Sequence, residues 1–148
     1  MRFKAYKAYT EALNKPYTFE QVSNSPRAND FSFETDKGIW YDVQMPNYTD
    51  DDGKLYTELM FYQTDNESMS MQNTGDAFRV MATIVDIVKK QKNFLQSREY
   101  LEFTADKRDS GRVKLYRRLA KIFIKTLGFK TVQEETKTGG VLFKVMKK

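Results

Sequence analysis

The stretch 72–77, QNTGDA, is typical of a polar turn, and it opens directly into the apolar run FRVMATIVDIV. Apolar residues recur along that run at spacings of three and four, which predicts a helix over 76–91 covered on more than one side. A compact strand is predicted at 100–105. A basic helix is predicted at 110–127, ending before Gly128, a residue typical of the position after a helix. This order places the turn where a bound anion would meet the start of a helix.

The segments on either side of this stretch predict a sheet. Residues 3–14 carry apolar side chains at helical spacing, which predicts a short N-terminal helix that ends before Pro16. Gly38 and Gly139 fall in short connections between β-rich runs, as in hairpins. The predicted strands are 17–22, 31–35, 39–45, 55–63, 129–134 and 141–146, with loops at 23–30 and 46–54. This order predicts an α+β (mixed α/β) fold with a largely antiparallel central sheet and helices on both faces.

The composition excludes several kinds of chemistry. The chain has 148 residues, which favours a single domain over 1–148, and it contains no Cys and no His. Disulfides, thiolate metal sites, a cysteine nucleophile and a Ser-His-Asp mechanism are therefore excluded. Catalysis would have to use carboxylates, Tyr, Lys, backbone dipoles or a bound cofactor. The acidic run at 50–53, DDDG, lacks the ligand spacing of an EF-hand, so we predict no metal site.

Hydropathy and the N-terminus favour a cytoplasmic protein. No apolar run approaches the roughly 20 residues that span a bilayer, so no membrane partner is predicted. The first residues, MRFKAY, also lack the apolar region of a signal peptide. We therefore expect a soluble, intracellular protein.

Positive charge is concentrated in one part of the chain. Residues 107–130 hold nine Lys or Arg residues against a single acidic residue, a net charge of +8, so the remainder carries −3 of the total +5. The basic helix within 107–125 is open to three interpretations: a solvated face, a surface for a nucleic acid or other polyanion, or a site for cofactor phosphates.

Several short motifs resemble the GCN5-related N-acetyltransferase (GNAT) superfamily. Gln72, Gly75 and Ala77 match the family pattern Gln/Arg-x-x-Gly-x-Gly/Ala at the start of the central helix. Tyr116 matches a tyrosine of the next helix, and the segment 127–129, LGF, matches the Gly-Phe that leads into the closing strands. By element order the resemblance covers residues 30–148.

The resemblance implies an acyl-coenzyme A-dependent N-acyltransferase, in which an amine substrate attacks the thioester directly. It implies that Tyr116 protonates the departing thiolate, and Glu58 on the preceding strand is the candidate general base. Arg112 is a candidate for a phosphate contact, since its fork-shaped guanidinium suits that group. The resemblance assigns the pyrophosphate of acetyl-CoA or another acyl-CoA to the backbone N–H groups of Gln72, Asn73, Thr74, Gly75, Asp76 and Ala77.

Each of these assignments has a structural alternative. The 72–77 turn could be an ordinary helix start with Thr74 as N-cap and Asp76 opposite the helix dipole. Asp76 also stands where the family usually has an apolar residue, and its charge would repel a pyrophosphate. Tyr116 could be a core aromatic residue on the apolar stripe that it shares with Leu119 and Phe123.

A second function therefore competes with catalysis. The segment GDAFRV, residues 75–80, is similar to small uncharacterised bacteriophage proteins of this general shape. That likeness implies a non-catalytic phage accessory or virion-associated protein, which would use the 107–125 helix to bind a nucleic acid or a protein partner.

Overall fold

The computed structural model describes residues 15–24, 28–64, 74–106, 110–137 and 139–147. Most predicted elements are confirmed to within a few residues. The strands are β1 Phe19–Asn24, β2 Ala28–Glu34, β3 Trp40–Thr49, β4 Leu55–Glu58, β5 Met60–Gln63, β6 Tyr100–Asp106, β7 Thr131–Lys137 and β8 Gly140–Met146. The helices are α1 Thr74–Lys90, α2 Lys92–Leu95 and α3 Ser110–Leu127.

The eight strands form one sheet in the order β1-β2-β3-β4-β6-β8-β7, with β5 paired to β3. Among these strands, β4 and β6 are the only parallel neighbours, and α1 lies in the connection between them. The remaining pairs are antiparallel: most are hairpins or their extensions, and β6 pairs with β8 across the connection that holds α3 and β7. The prediction of a largely antiparallel α+β fold is confirmed.

One face of the sheet carries the core. Phe31, Val43 and Phe61 are cross-strand partners on β2, β3 and β5, and Phe103 pairs with Phe143 on β6 and β8. All five side chains are buried. Because alternate residues of a strand point to the same face, these registers place them on one continuous apolar surface.

Both long helices lie on this surface, which we call the helical face. The Tyr17 N–H donates to the Thr83 hydroxyl of α1 at 2.8 Å, and the Tyr17 ring stacks on Phe33 with centroids 6.1 Å apart. Helix α3 packs on β6, β7 and β8 and against α1. Gly128, with φ of 73°, follows α3 as predicted, because that backbone conformation suits glycine.

The other side of the sheet, which we call the opposite face, carries both aromatic and acidic side chains, with Tyr100 and Leu142 buried there. By the same alternation it carries the side chains between those of the helical face. The helix predicted at 3–14 lies outside the described residues, and the two described long helices both lie on the helical face. The opposite face carries Glu20, Asp30, Glu34, Asp42, Glu58 and Glu102, with Lys144 as the cross-strand partner of Glu102.

Three local predictions were wrong. The loop expected at 46–54 begins later, because β3 continues through Pro46 to Thr49. The loop expected at 23–30 is shorter, since 28–30 already belong to β2. The strand expected at 55–63 is two strands divided at Leu59. Among the described residues, no helix combines the length and apolar character needed to cross a bilayer.

Candidate functional site

Strands β5 and β6 separate in the middle of the sheet. Tyr56 to Glu58 of β4 pair in parallel with Tyr100 to Glu102 of β6, and the Leu59 N–H then donates to the Glu102 carbonyl at 2.8 Å. From Met60 onward the described pairing of β5 is with β3 alone, whereas β6 continues beside β8 to Asp106. Beyond Leu59 the two strands are thus not paired with each other among the described residues, and we call the region between β5 and the second half of β6 the opening.

A proline marks the point of separation. The register between β3 and its neighbour is the same before and after the break, with Asn47 opposite Thr57 and Gln44 opposite Met60. Pro46 therefore lies opposite Glu58. Because proline has no N–H, it cannot donate a hydrogen bond to the Glu58 carbonyl across this ladder, and the strand is interrupted there.

The ring of Tyr116 contacts both arms of the opening on the helical face. Its centroid is 5.5 Å from that of Phe61 on β5 and 5.5 Å from that of Phe103 on β6. Phe143 of β8 closes the cluster at 6.5 Å. Tyr116 is only 1% exposed. The structural alternative for Tyr116, a core aromatic residue, is therefore correct, and the same position puts its side chain at the opening.

Glu58 lies at the vertex of the opening, on the opposite face from Tyr116. Its neighbours Thr57 and Leu59 are buried on the helical face, so the Glu58 side chain points the other way. Burial raises the pKa of the Glu58 carboxyl above its ordinary value. A carboxyl group whose pKa is raised toward neutrality is suited to accept a proton.

Glu102 stands beside Glu58 on the neighbouring strand, as its register partner. Two carboxylates therefore lie in directly opposite positions of the parallel ladder, and Lys144 of β8 is the cross-strand partner of Glu102 on its other side. Burial, with the charges of Glu102 and Glu58, also raises the pKa of the nearby Tyr56 hydroxyl. At the next position, the Lys144 ammonium lies 5.0 Å from the Tyr100 ring centroid.

The predicted anion-binding turn coincides with the first turn of α1. The helix begins at Thr74, so Thr74 to Ala77 provide the first N–H groups, which lack partners within a helix. The side chains of these four residues, and the whole of Gln72 and Asn73, lie outside the described structure. No contact of the predicted pyrophosphate site is therefore seen directly.

Arg79 fixes the position of this helix start. Its side chain donates to the Lys15 carbonyl at 2.9 Å and to the Asp36 carboxylate at 2.6 Å, and it lies 3.8 Å from the Tyr17 ring centroid. Asp36 belongs to the turn of the β2–β3 hairpin. The end of β5 lies at the same edge of the sheet, because the Thr64 N–H donates to the Trp40 carbonyl next to that turn. The start of α1 therefore lies at the carboxyl end of β5, which borders the opening.

The basic surface of α3 is exposed. Arg117 makes a two-pronged ion pair with Glu134 of β7, with distances of 2.6 Å and 3.0 Å. This contact lowers the pKa of the Glu134 carboxyl. The side chain of Arg112 lies outside the described side chains, so its predicted phosphate contact stays a prediction. The other exposed basic residues of the helix are Lys114, Arg118, Lys121 and Lys125.

The acidic run at 50–53 is an ordered loop. Asp50 accepts hydrogen bonds from the Asp52 and Lys54 N–H groups, both at 2.9 Å, and from the Tyr100 hydroxyl at 2.8 Å. These bonds, that to Lys54 foremost, lower the pKa of the Asp50 carboxyl. Within the described ranges, no group of acidic side chains is arranged to hold a metal ion.

Two features of this site were missed in the sequence. Leu59 appeared to be one more buried position of an alternating strand, and Phe103 one more residue of an interior strand. Pro46 was the available signal, since a proline in a central strand must lie at a break in the ladder. Its register against Glu58 depends on pairing between distant segments, which the local pattern does not contain.

Comparison with solved structures identifies the fold. A mutant form of spermidine N-acetyltransferase SpeG from Vibrio cholerae aligns over 97% of this chain and 74% of its own, with a TM-score of 0.52 and 10% identity. A Bacillus subtilis acetyltransferase in complex with CoA aligns over 88% of this chain and 98% of its own, with a TM-score of 0.52 and 8% identity. Other mutant forms of the Vibrio cholerae spermidine/spermine enzyme give a TM-score of 0.51 at 10% identity, covering 84% and 69%.

No protein-family model matches the sequence, and no curated protein sequence matches it. The resemblance to the GNAT superfamily is confirmed at the level of the fold: the chain shares the fold of these acetyltransferases.

Proposed function

We propose that this protein is an acyl-CoA-dependent N-acyltransferase that transfers an acyl group to an amine. The observation that carries the proposal is the opening between β5 and β6, which ends at the Leu59–Glu102 hydrogen bond and faces the start of α1. Ligands of sheets with parallel strands bind in crevices at the carboxyl ends of those strands. The presence of a CoA complex among structures of the same fold supports acyl-CoA as the donor.

The donor would be held by the first turn of α1. The N–H groups of Thr74 to Ala77 form an anion-binding helix start, and the helix dipole adds to their attraction for a pyrophosphate. Gln72, Asn73 and Arg112 remain predicted donor contacts. Acyl-CoA supplies an acyl group on a thioester, and the C–S bond breaks as the amine nitrogen forms its bond to the carbonyl carbon.

Two side chains on opposite sides of the sheet would handle the protons. Glu58 accepts the proton that the amine loses, for which its raised pKa is suitable. The Tyr116 hydroxyl donates a proton to the departing thiolate. Two observations support this division: the alternation of β4 puts Glu58 on the opposite face, and the ring contacts of Tyr116 put it on the helical face of the same opening.

The acceptor is proposed to be a positively charged amine. Glu58 and Glu102 lie side by side next to the opening, and the protein's own Lys144 ammonium is accommodated one position away, against Tyr100. An anionic acceptor would be repelled from this region. Acylation rates with 1,4-diaminobutane and with 4-aminobutanoate, which has a carboxylate in place of one amine, test this: only the diamine should be a substrate.

Calorimetric titration with acetyl-CoA tests the proposal. We expect a saturable heat for the unmodified chain and a strongly weakened one for Thr74→Glu. A carboxylate in the first turn favours the helix itself but repels a pyrophosphate, so affinity should fall without loss of folding. Asn93→Glu adds the same charge to the exposed surface of α2 and is the matched control. Absence of heat at millimolar acetyl-CoA would refute the function.

A further inference from the structure

We propose that the Tyr116 ring is the spacer that keeps β5 and β6 apart, so that Tyr116 is a positioning residue for the opening as well as the proposed acid. This role sets the separation of the two strands. Its relevance to catalysis rests on the proposed function. The spacer itself can be tested with no donor or acceptor present.

The contacts of Tyr116 are those expected of a wedge. Its ring centroid lies 5.5 Å from Phe61 on one arm of the opening and 5.5 Å from Phe103 on the other. The Phe61 and Phe103 rings are fully buried at 2% and 0% exposure, so neither can move aside into solvent. A rigid ring packed against both of these rings keeps their strands separated.

Pro46 accounts for the break at Glu58, but beyond it the side chains of β5 and β6 offer no obstacle to pairing. The strands are in register up to Glu58 and Glu102, and continuing that register would place Met60 opposite Thr104 and Phe61 opposite Ala105. Ala105 is small, and Met60 and Thr104 lie on the opposite face away from the core. Neighbouring strands commonly pair, so the ring that contacts both β5 and β6 on the helical face is a candidate for what keeps these two apart.

Helix α3 carries this ring at Tyr116, and it packs on β6 and β8 and against α1. Phe123, two turns further along α3, contacts Phe103 edge-on with centroids 5.8 Å apart. This contact is with β6, whereas Tyr116 contacts both β5 and β6. The two aromatic residues of this helix therefore make a matched pair: both fill the core, and Tyr116 is the one that contacts both arms.

The absence of cysteine from the chain makes a disulfide test clean. Met60→Cys and Thr104→Cys are combined, because these positions would face each other if the ladder closed. A disulfide requires Cα atoms within roughly 7 Å, so it reports closure under mild oxidation. Glu102→Cys with Lys144→Cys, antiparallel partners on β6 and β8, is the positive control and should form a disulfide in every background.

The spacer predicts a specific pattern among variants at Tyr116. The cysteine pair at positions 60 and 104 should stay reduced when Tyr116 is present and in the Tyr116→Phe background, which keeps the ring. In the Tyr116→Ala background the disulfide should form at least tenfold faster than with Tyr116. Phe123→Ala should leave the pair reduced. If Tyr116→Ala does not fold, Tyr116→Leu serves in its place.

Two results would overturn the inference. A folded Tyr116→Ala or Tyr116→Leu protein whose cysteine pair stays reduced would show that the strands are parted without the ring. Rapid disulfide formation in the Tyr116→Phe background would show that the ring does not hold them open. Titration of the same proteins with acetyl-CoA tests the proposed function separately. If the disulfide pattern is as expected but acetyl-CoA does not bind, the spacer role of Tyr116 stands and the proposed function is refuted.

Discussion

Leu59 and Glu102 are joined by a backbone hydrogen bond of 2.8 Å, and this is the final bond that the described residues make between the parallel strands. On one side of it the sheet is continuous, and on the other it opens. Glu58 precedes this bond on one face, and Tyr116 lies beyond it on the other. The predictions below concern the residues around this bond.

Tyr116→Phe removes the hydroxyl and keeps the ring, so it tests the two roles of Tyr116 separately. We expect the variant to fold normally, because Phe keeps the contacts with Phe61 and Phe103, while kcat falls about 100-fold or more if the hydroxyl is the general acid. Tyr116→Ala should instead lower the free energy of unfolding by about 3–5 kcal/mol. Steady-state kinetics and thermal unfolding are the measurements. Tyr17→Phe, in the core beside β1, is the control, and equal kcat losses in both Phe variants would contradict the assignment.

Glu58→Gln should stabilise the protein at neutral pH while abolishing the base. The carboxyl titrates near 4.5 in the unfolded chain, and burial raises this pKa in the folded state. Its stabilising contribution is therefore complete below pH 4.5 and is lost as pH rises through the higher folded value. Glutamine resembles the protonated form, so the difference in unfolding free energy between variant and wild type should increase with pH in favour of the variant.

Chemical denaturation at a series of pH values measures this effect. Glu20→Gln, an exposed glutamate on the same face of the sheet, is the matched control. A pH-independent difference for Glu58→Gln would mean that the Glu58 pKa is not raised in the folded protein.

Arg79→Met should weaken donor binding by loosening the start of α1. The variant loses bonds to the Lys15 carbonyl and to Asp36, and the contact with the Tyr17 ring, for a cost of about 2 kcal/mol. We expect the KM for acetyl-CoA to rise more than kcat falls. Asp36→Asn removes the exposed ion pair alone and should cost less than about 1 kcal/mol. Unfolding and kinetics on both variants distinguish a positioned helix start from general loss of stability.

The Arg117–Glu134 ion pair should contribute little, because both side chains are substantially exposed. A double-mutant cycle with Arg117→Met and Glu134→Gln should give only a weak favourable coupling, as is usual for exposed ion pairs. Arg117 lowers the pKa of Glu134 from 4.5, so the coupling should be present above pH 4.5 and lost as pH falls through the lower folded value. It should also shrink in 1 M salt. A coupling that persists at pH 2 would contradict this account.

The sequence contains enough local information to predict most elements. The limits of α3 follow from its apolar stripe and from Gly128, and α1 follows from the spacing of its apolar residues. The break at Leu59 was not predictable in the same way, because the alternation of Thr57, Leu59 and Phe61 continues through it. It depends on Pro46 meeting Glu58 across the sheet, a contact set by the pairing of distant strands.

The candidate site was also predicted only in part. Glu58 and Tyr116 were named from the family resemblance, and their positions on either side of the opening are consistent with the proposed roles. The partners that surround them, Glu102 and Phe103, were not named, since their importance comes from the parallel register of β4 and β6. Residue type and spacing within one strand do not specify that register.

Among the described residues, carboxylates line one side of the sheet, whereas α3 exposes Lys and Arg on the other side. If the chain is a transferase, its two reactants have opposite charge: an anionic nucleotide thioester and a cationic amine. Each would be steered toward a different side, so their encounters with the protein would not compete for one entrance. Both arrival rates should then decline together as ionic strength increases.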